Sequence, residues 1–286
     1  MPATIMHVSD LHTGPPFLPE VAKALTTHAH DLKPDLLVLS GDFVQRADRQ
    51  HQWQIAREYL ATLPQPRLYV PGNHDVPLFN VYRRLFQPYR PYQCNITTTM
   101  NPIFDHAELN LYVVGGDTAH GITIAGGYLN RFQLNAMEAA FAQAPATACK
   151  IAVLHHPVID PPDNHESEPL ANEREAVAML ARAGVELVLN GHVHFFHVGT
   201  VQEMWGTLRW LRTPPAPPAR QMVLCTAGTA TSQRGRGPDH GKNSFNVITI
   251  DEQTIRVQPW YYQRAAQQFE PQQEYCFERD HPPANA

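Results

Sequence analysis

The chain has 286 residues, 43% of them hydrophobic, and a formal net charge of −5 from 22 Lys and Arg against 27 Asp and Glu. This length suffices for one large domain with a sizeable core, and the acidic balance argues against a nucleic-acid groove, because such grooves depend on Lys and Arg to neutralise phosphates. The four cysteines show no C-x-x-C spacing, and no signal peptide or membrane-spanning run is evident, so we expect a cytoplasmic protein.

The first third of the chain alternates between short apolar runs and helical patterns. Apolar runs at residues 4–8, 36–39 and 67–70 are typical of buried strands. Between them, apolar residues recur at helical spacing over residues 19–32 and 53–63. The resulting βαβαβ order predicts a parallel sheet with helices on its faces.

The rest of the chain is less regular. Further strands are predicted at residues 111–114, 122–125, 151–154, 185–189, 222–226, 245–250 and 254–262, the last three of them antiparallel. Asn130 and Asn172 are predicted to cap helices, and Glu175 gives the second one a capping-box-like start.

We expect one domain over residues 1–286. A hairpin beginning at residue 201 and a Pro-rich extended loop are predicted within about 201–220, followed by strands and a frayed C-terminal tail.

Five short motifs with metal-binding side chains each follow an apolar run. In chain order they are Asp10-Leu11-His12, Gly41-Asp42, Gly72-Asn73-His74-Asp75, His155-His156-Pro157 and Gly191-His192-Val193-His194. Open α/β sheets bind ligands beyond the carboxyl ends of their strands, so we expect these motifs to meet. Carboxylate, imidazole and amide ligands without a thiolate suit a pair of divalent ions, with Mn or Fe expected and Zn an alternative.

The spacing within two motifs suggests how their side chains are aimed. Asp10 and His12 are two residues apart, as are His192 and His194. Alternation in an extended backbone would point both members of a pair to the same side, so that both reach one ion.

The remaining motif residues suggest a dinuclear hydrolytic centre. Asp42 offers two oxygens that can bridge two ions, Asn73 offers an amide oxygen, and His155 offers an imidazole. Two ions about 3.5–4 Å apart lower the pKa of a bridging water and favour in-line displacement at phosphorus. His74 follows Asn73 and is free to face the substrate, where it would protonate the leaving oxygen or stabilise charge.

Several neighbouring residues are interpreted without a catalytic role. His156 is taken as a neighbour of the site and Asp75 as a residue that orders the turn. His120, Arg234 and Arg236 are taken as solvated loop residues, with phosphate binding by the two arginines as the alternative.

The order of motifs from Asp10 to His194 resembles the calcineurin-like metallophosphoesterase superfamily. The resemblance implies an α/β fold, a four-layer α/β/β/α sandwich of two mixed sheets flanked by helices. It implies one ion held by Asp10, His12, Asp42 and His194, and a second held by Asp42, Asn73, His155 and His192. It also implies that His74 is the catalytic histidine and that Asn73 and His74 contact the substrate.

Differences between this sequence and the motifs of individual subfamilies indicate which subfamily it resembles most. Gln45 stands where Ser/Thr phosphatases have the acid that partners the histidine, and where purple acid phosphatases have a Tyr ligand. Residues 70–77 and 155–157 look most like the bacterial class III cyclic-nucleotide phosphodiesterases and their glycerophosphodiesterase relatives. Protein phosphatases add arginines near the metals for the second charge of a monoester. Their Asp-Arg-Gly segment is absent here, although Arg46 remains nearby, and this favours a diester, which needs little additional cation.

The expected function is therefore metal-dependent hydrolysis of small phosphodiesters, cyclic nucleotides among the candidates, by a hydroxide that bridges two metals. A phosphomonoesterase or a nucleotide pyrophosphatase at the same site is the enzymatic alternative. An interaction scaffold with the metallophosphoesterase fold is the non-enzymatic one. The oligomeric state stays open, with a homodimer among the possibilities.

Overall fold

Two β-sheets form the centre of the computed structural model, which describes residues 2–162, 169–205 and 216–279. The strands are β1 (Ala3–Val8), β2 (Leu36–Leu39), β3 (Arg67–Tyr69), β4 (Ile103–His106), β5 (Leu111–Gly115), β6 (Cys149–Val153), β7 (Leu187–Asn190), β8 (His197–Thr200), β9 (Val223–Thr226), β10 (Ser244–Ile250), β11 (Thr254–Gln263), β12 (Gln268–Pro271) and β13 (Tyr275–Glu278). The α-helices are α1 (Pro19–Leu32), α2 (Gln50–Ala61), α3 (Val81–Phe86), α4 (Arg90–Asn95), α5 (Arg131–Phe141), α6 (Glu173–Ala183) and α7 (Val201–Met204).

Both sheets are mixed. The first has the order β12-β11-β10-β1-β2-β3, and β13 also pairs with β11. Its β1, β2 and β3 are parallel, as the βαβαβ pattern predicts, and β10 and β11 are antiparallel as expected. The second sheet has the order β4-β5-β6-β7-β9-β8. There β9 runs antiparallel to β8 but parallel to β7, so its predicted antiparallel pairing is only half right.

The core has three apolar layers, which confirms the four-layer sandwich. The middle layer lies between the sheets and includes Ile5, Val38, Val153 and Leu189, all fully buried. A second layer packs the first sheet against α1 and α2, and a third packs the second sheet against α5 and α6. Apolar strands buried on both faces explain why these segments show continuous apolar runs in the sequence.

The helix boundaries follow local chemistry at both ends. Asn130 caps α5 because its Oδ1 accepts hydrogen bonds from the backbone N–H groups of Phe132 and Gln133, which confirms the predicted cap. Helix α6 begins directly after Asn172, as predicted, but no side-chain cap forms, because the Asn172 amide bonds to the backbone of Leu129 in the neighbouring loop.

The predicted strand at residues 122–125 is also wrong. These residues lie in a loop between β5 and α5, and Ile122 and Ile124 are 87% and 66% exposed. The backbone N–H of Tyr128 donates to the carbonyl of Thr118 and closes this loop. An apolar run alone does not distinguish a strand from an exposed apolar loop.

The predicted hairpin does not start at residue 201. Thr200 instead caps the short helix α7, and Glu203 completes a capping box with it. Residues 206–215, which include most of the hairpin and part of the Pro-rich loop, lie outside the described residues, as do residues 280–286. The frayed tail was predicted for the last dozen residues, and this is wrong for Tyr275–Glu278, which form β13 against β11. The single domain over 1–286 stays a prediction. No helix within the described ranges is long and apolar enough to span a membrane.

A buried ion pair joins the two sheets. Arg279 follows β13 in the first sheet, and its Nε and Nη2 donate to the two carboxylate oxygens of Glu186, just before β7 in the second, at 2.9 and 3.0 Å. The side chains are only 4% and 5% exposed. We predict that Glu186→Leu lowers the free energy of unfolding by about 3–5 kcal/mol, because it leaves a buried guanidinium without its carboxylate.

The matched double variant Glu186→Leu/Arg279→Leu should recover most of that loss, since no charge is then stranded. Glu138→Ala, which breaks the exposed pair with Arg182, should cost less than about 1 kcal/mol. Urea unfolding measures all three variants. A double variant as unstable as Glu186→Leu alone would show that the stranded charge is not the cause of the loss.

Candidate metal centre

The five sequence motifs meet where the two sheets share an edge. Each follows the carboxyl end of a strand, namely β1, β2 and β3 in the first sheet and β6 and β7 in the second. A hydrogen bond crosses between the sheets here, because His155 Nδ1 donates to the Ser40 carbonyl at 2.7 Å. All seven predicted ligands therefore lie in one place, in two adjoining clusters.

The first cluster contains Asp10, His12, Asp42 and His194, all buried. His12 Nε2 lies 3.0 Å from His194 Nε2 and 3.4 Å from Asp10 Oδ1. It also lies 3.6 Å from Asp42 Oδ2, and His194 Nε2 lies 3.0 Å from Asp10 Oδ1. Four potential ligand atoms therefore face a common point.

The second cluster shares Asp42 with the first. His155 Nε2 lies 3.4 Å from Asp42 Oδ1 and 3.2 Å from Asn73 Oδ1. The Asn73 oxygen is also 3.1 Å from His192 Nδ1. The two carboxylate oxygens of Asp42 thus face different clusters, which is the geometry required of a bridging ligand.

The donor chemistry of these clusters fits divalent cations. His194 Nδ1 donates to the Arg234 carbonyl at 3.0 Å and His155 Nδ1 to Ser40, so in the neutral rings both Nε2 lone pairs face the carboxylates. The buried oxygens Asp10 Oδ1 and Asp42 Oδ2 have no hydrogen-bond partner. The other oxygen of each carboxylate accepts a backbone N–H, from His192 and His74 respectively. The two oxygens that lack a donor face the clusters, so a cation is their natural partner.

The backbone of the site is wound left-handed. Five of the seven predicted ligands have positive φ: Asp10 (57°), His12 (49°), Asp42 (55°), His192 (72°) and His194 (65°). Such angles cost on the order of 1 kcal/mol for residues other than glycine, and they concentrate at functional sites. The expectation of an extended Asp-x-His segment is therefore wrong, although Asp10 and His12 do share a cluster.

His192 and His194 do not point to the same side, as their spacing had suggested. His192 belongs to the cluster of Asn73 and His155, and His194 to that of Asp10. The prediction that both rings point one way is wrong, because the left-handed backbone replaces strand alternation. The separation agrees with what the family resemblance implied.

Close backbone approaches hold the ligand loops together. A side chain at Gly72 would collide with the Asp42 carboxylate, and one at Gly191 would collide with Ser9. Asp75 accepts hydrogen bonds from the backbone N–H groups of Phe43, Val44 and Gly72 at 2.9–3.2 Å. Asp75 therefore orders the turn, as predicted.

The charges in the site are set by burial and by neighbours. Burial raises the pKa of Asp42, but His155, His74 and His12 lower it by more, so it stays well below the usual range. Burial lowers the pKa of His12 to about 3, which keeps this imidazole neutral and able to bind a cation. Burial also acts to lower the pKa of His155, yet Asp42 outweighs it and the pKa rises to about 9. A metal ion entering this cluster must displace that proton.

His74 stands beside the clusters with both ring nitrogens engaged. Its Nδ1 donates to the carbonyl oxygen of Gln45 at 2.8 Å, and its Nε2 accepts from Arg234 Nη1 at 3.2 Å. Gln45 has no acidic side chain to partner His74, and its backbone carbonyl accepts the hydrogen bond from the imidazole instead. Burial, together with the nearby Arg234 and Arg46, lowers the pKa of His74 despite the opposing effect of Asp42.

Arg234 is the residue that sequence reasoning undervalued. Its Nη1 also donates to Gln45 Oε1 at 2.9 Å, and its carbonyl oxygen accepts from the ligand candidate His194. It lines a cavity of about 300 Å³ together with Arg46, Arg236 and His74. Its interpretation as a solvated loop residue is wrong, and its guanidinium weakens the argument that the missing Asp-Arg-Gly segment favours a diester.

Other candidates fall outside the ligand set. His156 lies close to His155 and His192, but its Nε2 bonds to the Ala125 carbonyl and its Nδ1 to Thr118 Oγ1. Both nitrogens are therefore used, which agrees with its interpretation as a neighbour. His120 bonds to the Tyr128 carbonyl in the exposed loop.

Comparison with known proteins gives a family match over residues 3–196, to the calcineurin-like phosphoesterase model. The 3′,5′-cyclic adenosine monophosphate phosphodiesterase CpdA of Escherichia coli K12 is 27% identical over 200 residues, 68% of this chain and 64% of CpdA. The glycerophosphodiester phosphodiesterase GpdQ of Enterobacter lignolyticus is 28% identical over 166 residues, 57% of this chain and 56% of GpdQ. The chain thus spans less than two thirds of the length of either relative.

Among solved structures, the purple acid phosphatase PPD1 from yellow lupin superposes with a TM-score of 0.70 at 14% identity. The superposition covers 98% of this chain and 54% of PPD1. Because the sequence identity is low, this structural similarity supports the shared fold alone.

Asp42→Ala tests whether one residue serves both clusters. We predict that the purified variant loses both metal ions, because each cluster then lacks one oxygen ligand. Metal content per chain is measured by mass spectrometry, with circular dichroism as the check of folding. The matched control Asp105→Ala, an exposed carboxylate on β4, should keep wild-type metal content. Full occupancy of two ions in Asp42→Ala would disprove the bridging role.

Proposed function

Because the chain belongs to the calcineurin-like phosphoesterase family, we propose that it hydrolyses small phosphodiesters at this centre with the help of two divalent metal ions. The observation that supports this most strongly is the pair of buried carboxylate, amide and imidazole clusters that share Asp42. The named activities of CpdA and GpdQ support a diester as the substrate class. Cyclic nucleotides are therefore among the candidates.

The two clusters supply the proposed ligand sets. One ion would be held by Asp10, His12, Asp42 and His194, and the other by Asp42, Asn73, His155 and His192. Nitrogen and oxygen ligands suit Mn or Fe, with Zn as the alternative. When bound, a pair of divalent ions supplies activation of water and neutralisation of charge at phosphorus.

The chain's own residues then have distinct tasks. We assign the hydrogen bond from His74 Nδ1 to the Gln45 carbonyl the task of fixing the imidazole ring. Its Nε2 faces the cavity beside Arg234, so both side chains are in reach of a phosphoryl group there. In this role His74 aligns the guanidinium, and Arg234 and Arg46 stabilise negative charge on the phosphoryl oxygens. Asn73 also lines the cavity and would contact the substrate.

A phosphomonoesterase is the second candidate, because three arginines are available for a doubly charged substrate. Arg46, Arg234 and Arg236 all line the cavity. A monoester carries nearly two negative charges and a diester only one, so three guanidinium groups would suit either substrate. Charge therefore does not decide the substrate class, and the relatives are the reason to place the diester first.

His74→Ala should keep both metal ions and lose turnover by about 10–100-fold, no more than the loss of the Arg234 guanidinium that it aligns. Because Nε2 accepts from Arg234, we expect an equal loss for diesters with good and poor leaving groups. The control His120→Ala, in the exposed loop, should retain wild-type turnover. A loss that shrinks for p-nitrophenolate would instead assign His74 as the proton donor to the leaving oxygen.

Arg234→Ala should lower kcat/KM about 10–100-fold, the effect of losing a charge-assisted hydrogen bond of about 1.5–3 kcal/mol. Metal content should not change, because only the carbonyl oxygen of Arg234 contacts His194. Inhibition constants for inorganic phosphate should rise with the loss of activity. Arg57→Ala on the outer face of α2 is the control and should behave as wild type. Unchanged phosphate inhibition in Arg234→Ala would remove this residue from substrate binding.

The substrate class is tested by kcat/KM for p-nitrophenyl phosphate and bis(p-nitrophenyl) phosphate, followed by cyclic AMP. We predict that the Mn-loaded enzyme prefers the diester. A tenfold or greater preference for the monoester, about 1.4 kcal/mol of transition-state discrimination, would replace the diesterase assignment with the phosphomonoesterase.

A further inference from the structure

Exposed apolar side chains are concentrated in one region of the molecule. Among the described residues, ten large apolar side chains are exposed, and nine of these belong to residues 79–86 and 122–132. The exception is Ile103 on β4. Single exposed apolar residues are common on protein surfaces, whereas a cluster of exposed apolar side chains is typical of an interaction site.

The two segments are packed against each other. Arg84, buried in α3, donates through Nη1 to the Pro77 carbonyl at 2.8 Å and through Nη2 to the Thr123 carbonyl. Gly121 lies so close to the Arg84 carbonyl that a side chain there would collide with it. The exposed side chains of these segments are here called the apolar rim: Phe79, Tyr82, Leu85, Phe86, Ile122 and Ile124.

Helix α3 presents its apolar face outward. Tyr82, Leu85 and Phe86 are spaced i, i+3 and i+4 and lie on one face, and the rings of Tyr82 and Phe86 are 5.1 Å apart. All three are more than half exposed, whereas Arg84 is 7% exposed and anchors the helix from beneath. This orientation is the reverse of an ordinary surface helix, whose apolar face is turned to the core.

The apolar rim borders the mouth of the candidate metal centre. Ile124 lines the cavity beside His74, and its carbonyl accepts from Asn73 Nδ2 at 3.3 Å. On the other side, the Arg46 guanidinium lies 6.0 Å from the centre of the Phe79 ring. A partner bound to the rim would therefore lie at the entrance to the site.

The charge around the rim is positive although the chain is acidic. No Asp or Glu occurs in residues 76–104 or 118–137, and exposed Arg83, Arg90 and Arg131 flank the rim. The nearby Asp48 carboxylate accepts from the backbone N–H groups of Leu78 and Phe79. The partner must therefore combine negative charge with an apolar interior.

We propose that this face docks on the surface of an anionic lipid bilayer. The apolar side chains would enter the boundary between headgroups and acyl chains, and the arginines would contact lipid phosphates. A second copy of the chain fits less well, because a two-fold contact through this face would bring the arginines of both copies together. This inference does not depend on the proposed reaction.

Co-sedimentation of the full chain with vesicles tests the proposal. We expect the protein to bind vesicles containing phosphatidylglycerol more tightly than vesicles of phosphatidylcholine alone, and to be released by high salt. Leu85→Asp/Phe86→Asp should weaken binding at least tenfold, because it places two charges in the apolar face. The matched control Ile103→Asp, at the exposed apolar side chain outside the two segments, should bind as wild type.

Metal content and circular dichroism of the double variant check that it is folded, independently of any activity. Failure of the wild-type protein to bind anionic vesicles would overturn the proposal. So would equal weakening by Ile103→Asp. Light scattering that shows a wild-type dimer which Leu85→Asp/Phe86→Asp dissociates, without vesicle binding, would assign the face to a second copy of the chain instead.

Discussion

The organisation of this protein depends on how acceptor atoms converge around Asp42. Carboxylate, amide and imidazole lone pairs face each other within 3–4 Å, and the carboxylates of Asp10 and Asp42 are buried. Burial of such groups is unfavourable unless other contacts hold them in place. The backbone N–H groups of His74 and His192 donate to Asp42 and Asp10, and those of Phe43 and Gly72 donate to Asp75. These hydrogen bonds hold the ligand loops in their left-handed turns. The strain is local, and the buried sheets beneath provide the stability that offsets it.

The sequence alone predicted the βαβαβ segment and the side chains that form the two clusters. The βαβαβ segment was predictable because buried parallel strands are uniformly apolar, and the order of the five motifs anticipated all seven members of the two clusters. The positive φ angles of His192 and His194 were not predictable, since strand alternation is a rule for extended backbone alone. Residues 122–125 were wrongly predicted as a strand, because a short run of β-branched residues does not show whether a partner strand is available.

Arg234 shows what a local pattern cannot supply. It lies 40 residues after His194 in the chain, yet its carbonyl accepts from that histidine while its guanidinium contacts His74. This contact arises only when the loop after β9 folds over both sheets. Arg234 also lies beyond residues 3–196, the part that matches the family model. The Arg234 guanidinium beside His74 therefore comes from a part of the chain that the family motifs do not cover.

Anomalous scattering from crystals of the Mn-loaded protein would show directly whether two cations share Asp42. We expect two peaks at the manganese edge, about 3.5–4 Å apart. One should lie among Asp10, His12 and His194 and the other among Asn73, His155 and His192, with the Asp42 carboxylate between them. A single peak at full metal loading, or a peak bound by His156, would contradict the account.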